Sequence, residues 1–168
     1  MNDEEHLSKE QLDLEIVKIL SQDSRESYRK IAKELNKSPV TIKSHVEELE
    51  KGIIKSYGAQ LDYEKLGFDI IAIIEVTISK GKMLEVEKMI AENPNVFGVY
   101  DITGTYDALI LARFRNRGEL STMIKEIHTS PNVESTNTHL VLNVIKEGSS
   151  LVNILEKEED RITEKDKQ

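Results

Sequence analysis

The first third of the chain carries apolar residues at the spacing of short helices. They recur every three or four positions in three stripes, which the polar joints at 22–24 and 36–38 separate. Ser38 followed by Pro39 is a helix-start signal, because the hydroxyl caps free amides and the proline ring is preset for the first turn. The stripes predict helices at about 12–20, 27–35 and 39–51. Two short helices joined by three residues, the second with an exposed polar and basic face, indicate a helix-turn-helix.

From Ile53 onward, β-rich runs alternate with runs of helical spacing. These runs predict strands at about 69–79, 96–103, 108–115 and 133–146, and helices at about 83–91 and 119–128. The order is βαββαβ, a ferredoxin-like arrangement, so the whole chain is predicted to be an α+β protein. Similar Pro-Asn turns at Pro94 and Pro131 lead from each helix into the next strand, which indicates a loose internal repeat.

The patterns divide the chain into four segments. A winged or helix-turn-helix domain is predicted for residues 1–52, an extended linker for 53–66, the βαββαβ domain for 67–147 and a charged tail for 148–168. Within the tail, one amphipathic turn is predicted from Leu151, Val152, Ile154 and Leu155. The residues beyond this turn are mostly charged and cannot bury enough apolar surface to fold.

The distribution of charge favours DNA as the partner of the first domain. The net charge of the chain is −8, but residues 24–60 carry 8 basic and 5 acidic side chains. Since the local field governs contact with phosphate, a basic module attached to an acidic body suits double-stranded DNA. Thr41, Lys43 and Ser44 are the candidates for contacts to base edges or phosphates. The candidates for the phosphate backbone are Arg25, Arg29, Lys30, Lys33, Lys37 and Lys55. The alternatives are ordinary solubilising charge and the solvated face of a structural helix.

The sequence gives little support for a metal site, a catalytic site or a membrane segment. The chain has no cysteine, which excludes disulfides, thiol nucleophiles and Cys-type zinc sites. The four histidines have no metal-binding spacing, and no carboxylate pair, Ser/His/Asp set or phosphate loop has catalytic spacing. We therefore expect no metal, no cofactor and no enzymatic activity. The apolar runs are too short to cross a bilayer and residues 1–23 lack a signal-peptide core, so we expect a cytoplasmic protein with no membrane partner.

Three motifs occur in one order over residues 10–147. The run from Ser38 to Ile54 forms the second helix of the predicted helix-turn-helix and its exit, and Tyr57–Asp62 forms the connector. Gly104–Asp107, of sequence Gly-Thr-Tyr-Asp, joins the two middle strands. Together these motifs resemble the Lrp/AsnC regulators, also called leucine-responsive or feast/famine proteins. Two features depart from the family pattern: His45, where the family usually has arginine, and the tail, which is longer than the pattern needs.

The resemblance implies a sequence-specific DNA-binding transcription regulator that responds to an amino acid or a related small molecule. With the residue types above, it implies a DNA-binding set of Arg29, Lys37, Ser38, Pro39, Thr41, Lys43, Ser44 and His45. It also implies an effector-binding set of Gly104, Thr105, Tyr106, Asp107, Thr136 and Thr138. Members of the family usually form homodimers in which the sheets of the two βαββαβ domains pair face to face. These dimers often associate into higher oligomers such as octamers.

Alternatives remain open at the level of the residues. Gly104–Asp107 also fits a plain turn, because glycine adopts positive φ and aspartate bonds its own backbone. As a ligand site, the same loop would offer free amides to a carboxylate and Asp107 to an ammonium group. For the whole chain, two other functions compete with the regulator. One is a metabolite-binding module or enzyme on the ferredoxin-like domain, since this fold hosts many activities. The other is an architectural DNA-binding protein without an effector.

Overall fold

The structure, a computed structural model, describes residues 7–148 and 152–154. These residues group into two compact units, which divide between Gln60 and Leu61, inside the predicted linker. The second unit ends at Lys146, and the described residues that follow group with the first unit. No helix in the described ranges is long and apolar enough to cross a membrane.

The first unit is built on α1 (Lys9–Gln22), α2 (Tyr28–Glu34) and α3 (Pro39–Leu49). Side-chain oxygens of Ser8, Ser27 and Ser38 cap the three helices by accepting from backbone amides in the first turns. Each helix turns an apolar stripe inward. The stripes meet in one core, whose largest fully buried members are Ile16, Ile31, Ile42 and Val46. The predicted helix-turn-helix is therefore confirmed.

The second unit follows the predicted order. Its elements are β1 (Ile70–Ile78), α4 (Met83–Ala91), β2 (Val96–Asp101), β3 (Ala108–Phe114), α5 (Arg117–Thr129) and β4 (Val133–Leu140). The strands form one sheet in the order β2-β3-β1-β4, and all neighbours are antiparallel. The predicted βαββαβ arrangement is confirmed.

The two faces of this sheet differ. Successive strand residues point to opposite faces, and on one face Ile74, Ile110 and Phe114 are completely buried against Val86 of α4 and Met123 of α5. Both helices therefore cover this face. The opposite face, called the open face below, carries partly buried apolar residues of β1 and β3, namely Ile71, Ile73, Leu109 and Leu111. The described residues of this unit leave the open face without a helix.

The last strand is shorter than the sequence predicts. β4 ends at Leu140, whereas the apolar pattern extends over 133–146. Its neighbour β1 begins one residue before Ile71, and the amide of Val141 donates a last hydrogen bond to the Ile71 carbonyl, at 2.9 Å. Beyond this point β1 offers no backbone partner, so the strand ends although its apolar sequence continues.

Only part of the predicted tail lies among the described residues. Val152–Ile154 form a helical turn, in which Val152 is buried and Ile154 is exposed. This agrees with the amphipathic pattern at these positions. The rest of the predicted tail after Gly148 lies outside the described residues.

Candidate nucleic-acid interface and effector loop

A left-handed residue forms the joint between α2 and α3. Asn36 has a φ of +51°, a conformation that asparagine tolerates because its short side chain bonds locally. The side chain of Ser38 then starts α3: its Oγ accepts from the amide of Thr41 at 3.0 Å and lies 2.8 Å from the Thr41 hydroxyl. The two hydroxyls hydrogen-bond each other at the helix start. Ser38 and Thr41, which are both predicted DNA contacts, therefore take part in this cap.

The opposite side of α3 from its buried stripe is exposed. The exposed residues along it are Pro39, Val40, Lys43, Ser44 and Glu47. Three predicted DNA contacts, Pro39, Lys43 and Ser44, thus lie together near the start of the helix, whereas Thr41 is partly buried. Sequence reasoning missed Val40, which is 77% exposed. Helical spacing was the available signal, because a residue two positions before Ile42 lies about 200° around the helix from it.

His45 lies on the flank of α3 that faces α1. Its Nδ1 is 2.6 Å from Oδ1 of Asp13, and its side chain is only 17% exposed. The side chain therefore links the two helices instead of joining the exposed face. The expectation of a DNA contact at His45 finds no support in this geometry. Sequence alone could not show this, since the partner residue lies 32 positions away.

The basic side chains around α2 differ in their partners. Arg25 donates to both carboxylate oxygens of Asp23, at 3.0 and 3.1 Å, and these bonds lower the pKa of Asp23 to about 2. Lys30 pairs with Glu26. In contrast, four basic residues make no ion pair within the described ranges: Arg29, Lys33, Lys37 and Lys55. Four of the six predicted phosphate contacts therefore belong to this second group, whereas Arg25 and Lys30 are engaged in ion pairs.

The C-terminal end of α3 is acidic and tied to the rest of the unit. Glu48 accepts from Lys9 of α1, with 2.9 Å between the charged atoms, and this contact lowers the pKa of Glu48. Glu50 accepts from the hydroxyl of Tyr57 at 3.0 Å. Burial and this hydrogen bond raise the pKa of Tyr57 to about 12. Negative charge at this end favours an orientation in which the N-terminal end of α3 approaches phosphates.

The Gly104–Asp107 loop is a tight connection between β2 and β3. Gly104 has a φ of +129°, which strains any side-chain-bearing residue. Oδ2 of Asp107 accepts from the amide of Ile78 at 2.7 Å, so one carboxylate oxygen fixes the end of β1. The amides of Gly104 and Thr105 donate to no other group in the described part of the chain. The loop thus combines a structural aspartate with free amide donors.

The two predicted threonines lie on β4, across β1 from this loop. Thr136 pairs with Val76, whose carbonyl also accepts from the amide of Asp107 at 3.0 Å. Two strand spacings, roughly 10 Å, therefore separate Thr136 and Asp107, and the structure does not bring these two predicted effector residues together within one chain. The hydroxyl of Thr136 is 2.9 Å from Nε2 of His128. Thr138 pairs with Ile74 and lies about 7 Å further from the loop.

No metal centre accompanies these residues. Among the residues that the structure describes, no three His, Cys, Asp or Glu side chains are grouped so that they could hold a metal ion. His139, a strand residue on the open face, instead lies 3.1 Å from Oε2 of Glu75, which also accepts from Asn137 at 2.9 Å.

Both units match described protein families. Residues 9–55 match the winged helix-turn-helix DNA-binding family, and residues 71–151 match the Lrp/AsnC ligand binding domain. The chain belongs to the Lrp/AsnC family of transcription regulators. The resemblance on which the sequence interpretation rests is therefore confirmed.

Individual members of the family extend over most of the chain. An HTH-type transcriptional regulator of Pyrococcus horikoshii is 43% identical over 137 residues, which cover 81% of this chain and 93% of that protein. The solved structure of E. coli AsnC has a TM-score of 0.77 at 27% identity and covers 82% of this chain and 95% of its own. A transcriptional regulator of Neisseria meningitidis, solved as an L-Met complex, has a TM-score of 0.74 at 26% identity, with 83% and 94% covered.

Membership decides between a regulator and an enzyme. The family consists of transcription regulators and not of enzymes. This chain is a DNA-binding transcription regulator, with a helix-turn-helix in its first unit and a ligand-binding domain in its second. The interpretation of the ferredoxin-like unit as a metabolic enzyme is set aside.

Proposed function

We propose that this Lrp/AsnC regulator acts in the cytoplasm as a homodimer, which reads its operator with the N-terminal end of α3 and binds a free amino acid at the Gly104–Asp107 loop. The observation that carries the DNA-reading part is the exposed group of Pro39, Lys43 and Ser44 at the start of α3. Recognition helices contact base edges with their N-terminal residues, and Arg29 and Lys37 supply unpaired positive charge for the phosphates.

The open face of the sheet supports the homodimer. Its half-buried residues Ile73 and Leu111 lie directly opposite each other on β1 and β3, and the aromatic residues of β2, Phe97 and Tyr100, are 44% and 53% exposed. A contiguous apolar surface of this kind marks an interaction site. A second copy offers the same surface, so a two-fold axis pairs the two open faces and brings two recognition helices to one operator.

The proposed effector site rests on two groups at one edge of the second unit. The unused amides of Gly104 and Thr105 suit a carboxylate, and the second oxygen of Asp107 suits an ammonium group. Gly104 and Thr105 are exposed, so one unit offers little enclosure. We expect another dimer to supply the missing wall, which would make ligand binding favour a higher oligomer. The L-Met complex of the Neisseria meningitidis regulator supports an amino acid as the ligand class.

The DNA-reading part is tested on α3. Lys43→Ala and Ser44→Ala should each weaken binding to a preferred duplex by about 1–3 kcal/mol, because each removes a base-edge or phosphate contact. Lys125→Ala, which removes an exposed lysine from α5, is the matched control and should bind like the wild type. Fluorescence anisotropy against a duplex selected from a random pool measures the affinities. Wild-type binding by both α3 variants would refute the assignment of this helix.

The effector part is tested with Asp107→Asn. An amide oxygen still accepts from the Ile78 amide, so the fold and the unfolding temperature should stay close to those of the wild type. The lost negative charge should weaken amino-acid binding by about 10-fold or more, the value of a charge-assisted hydrogen bond. Isothermal calorimetry with each of the twenty amino acids measures the binding. Asp69→Asn, at an exposed position of the same unit, is the control.

Two results would contradict the effector assignment. If no amino acid binds the wild type at millimolar concentration, the regulator does not respond to this ligand class. If one binds Asp107→Asn and the wild type equally, its site lies elsewhere in the chain.

A further inference from the structure

One apolar side chain stands exposed in the centre of the α3 surface. Val40 is 77% exposed, whereas Ile42, Val46 and Leu49 of the same helix are at most 4% exposed. Across α2 and α3, the one other large apolar side chain that is more than a third exposed is Tyr28, at 37%. The apolar residues of α3 are therefore buried, with Val40 as the one exception.

The position of Val40 joins it to the polar residues of the same surface. It is the second residue of α3, and Lys43 and Ser44 follow it at the three- and four-residue spacings that bring side chains together on a helix. These three side chains form one patch at the end of the helix that is proposed to enter the major groove. Within that groove, the apolar group on a base edge is the C5-methyl of thymine.

We propose that Val40 packs against a thymine C5-methyl group and so specifies a T·A pair in each half of the operator. The side chain of Val40 neither donates nor accepts a hydrogen bond. Against a cytosine amino group or a guanine carbonyl it would leave a buried polar group without a partner, which costs free energy. Against thymine it covers a methyl group. The inference rests on the proposed approach of α3 to DNA and adds to it a base that the helix reads by apolar contact.

Replacing thymidine by deoxyuridine tests this contact, because thymine and uracil differ only by the C5-methyl group. The full-length protein first selects a preferred duplex from a randomised pool, and each thymine of that duplex is then replaced singly. The wild type should bind about fourfold more weakly when the contacted thymine is replaced, since one buried methyl group contributes about 0.8 kcal/mol. Val40→Ala should bind the thymine and uracil duplexes equally at that position.

The controls separate this contact from the proposed role of the helix. Val40→Ala should fold like the wild type, because the side chain is exposed and alanine is a better helix former. Lys43→Ala should lower the affinity for both duplexes and keep the wild-type ratio between them. If Lys43→Ala and Ser44→Ala both bind normally, the approach of α3 itself is wrong.

Three outcomes would overturn the inference at Val40 while leaving the approach of α3 intact. The first is a wild type that is indifferent to uracil at every thymine. The second is a Val40→Ala variant that keeps the full wild-type ratio at every position. The third is a selected duplex with no fixed thymine in its half-sites.

Discussion

Ile73→Glu is expected to convert the proposed dimer into a monomer. Ile73 lies in the middle of β1 on the open face, half-buried and opposite Leu111 of β3. A carboxylate at this point would have to lose its hydration when two open faces meet, and it would add a like charge beside Glu75, two residues along the same strand face. The core of the unit lies on the other side of the sheet, so the fold should survive.

The loss of the dimer should also weaken binding to DNA. Two linked recognition helices bind one operator with an effective concentration that raises the affinity by roughly 10²–10⁴ over a single site. The Ile73→Glu variant should therefore bind a two-half-site operator about 100-fold or more weakly, with α3 unchanged. Sedimentation velocity at micromolar concentration measures the oligomer, and anisotropy measures the DNA affinity.

Thr122→Glu provides the matched control. Thr122 lies exposed on α5, on the helix-covered side of the sheet, so the same charge there should leave the dimer intact. Far-UV circular dichroism of both variants checks that the second unit is folded. A folded Ile73→Glu variant that still sediments as a dimer would move the interface away from the open face.

The helix-turn-helix could be predicted because its determinants are local. The Ser38-Pro39 start, the polar joint before it and the inward stripe of α3 lie within a few residues of one another, and each acts through a cap, a turn or a helical period. The βαββαβ order was predictable for the same reason, since alternation and turn residues mark each strand. The resemblance to the Lrp/AsnC regulators then assigned both units to one function, with DNA binding in the first unit and ligand binding in the second.

Features that depend on distant partners could not be predicted in the same way. β4 ends at Leu140 because its neighbour β1 begins at Ile70 and offers no further backbone partner. The apolar residues after Leu140 do not indicate where β1 begins. His45 turns to Asp13, and the carboxylate of Asp107 is fixed by the Ile78 amide, contacts that only the folded chain reveals. Val40 is different: the helical period signals its exposure, but apolarity alone suggests a core residue.

The last expected result concerns the core that holds the proposed effector loop and dimer face in place. Phe114 ends β3, is completely buried and is the largest of the fully buried side chains. Phe114→Ala should destabilise the second unit by about 3–5 kcal/mol, because the lost ring leaves a cavity that the rigid sheet and helices cannot fill. Against a total stability of roughly 5–15 kcal/mol, this removes a large share. Urea unfolding followed by circular dichroism, at fixed protein concentration, measures the change.

Phe97→Ala makes the same chemical change on the other side of the sheet. Phe97 is 44% exposed on β2, where its ring packs under the guanidinium of Arg113, 4.3 Å from the ring centre. Removing it opens no internal cavity, so its cost should be well under half that of Phe114→Ala, and its main effect should fall on dimerisation. Sedimentation velocity of the two variants separates the effects. A Phe97→Ala variant that forms the dimer as strongly as the wild type would show that Phe97 lies outside the surface that a second copy covers.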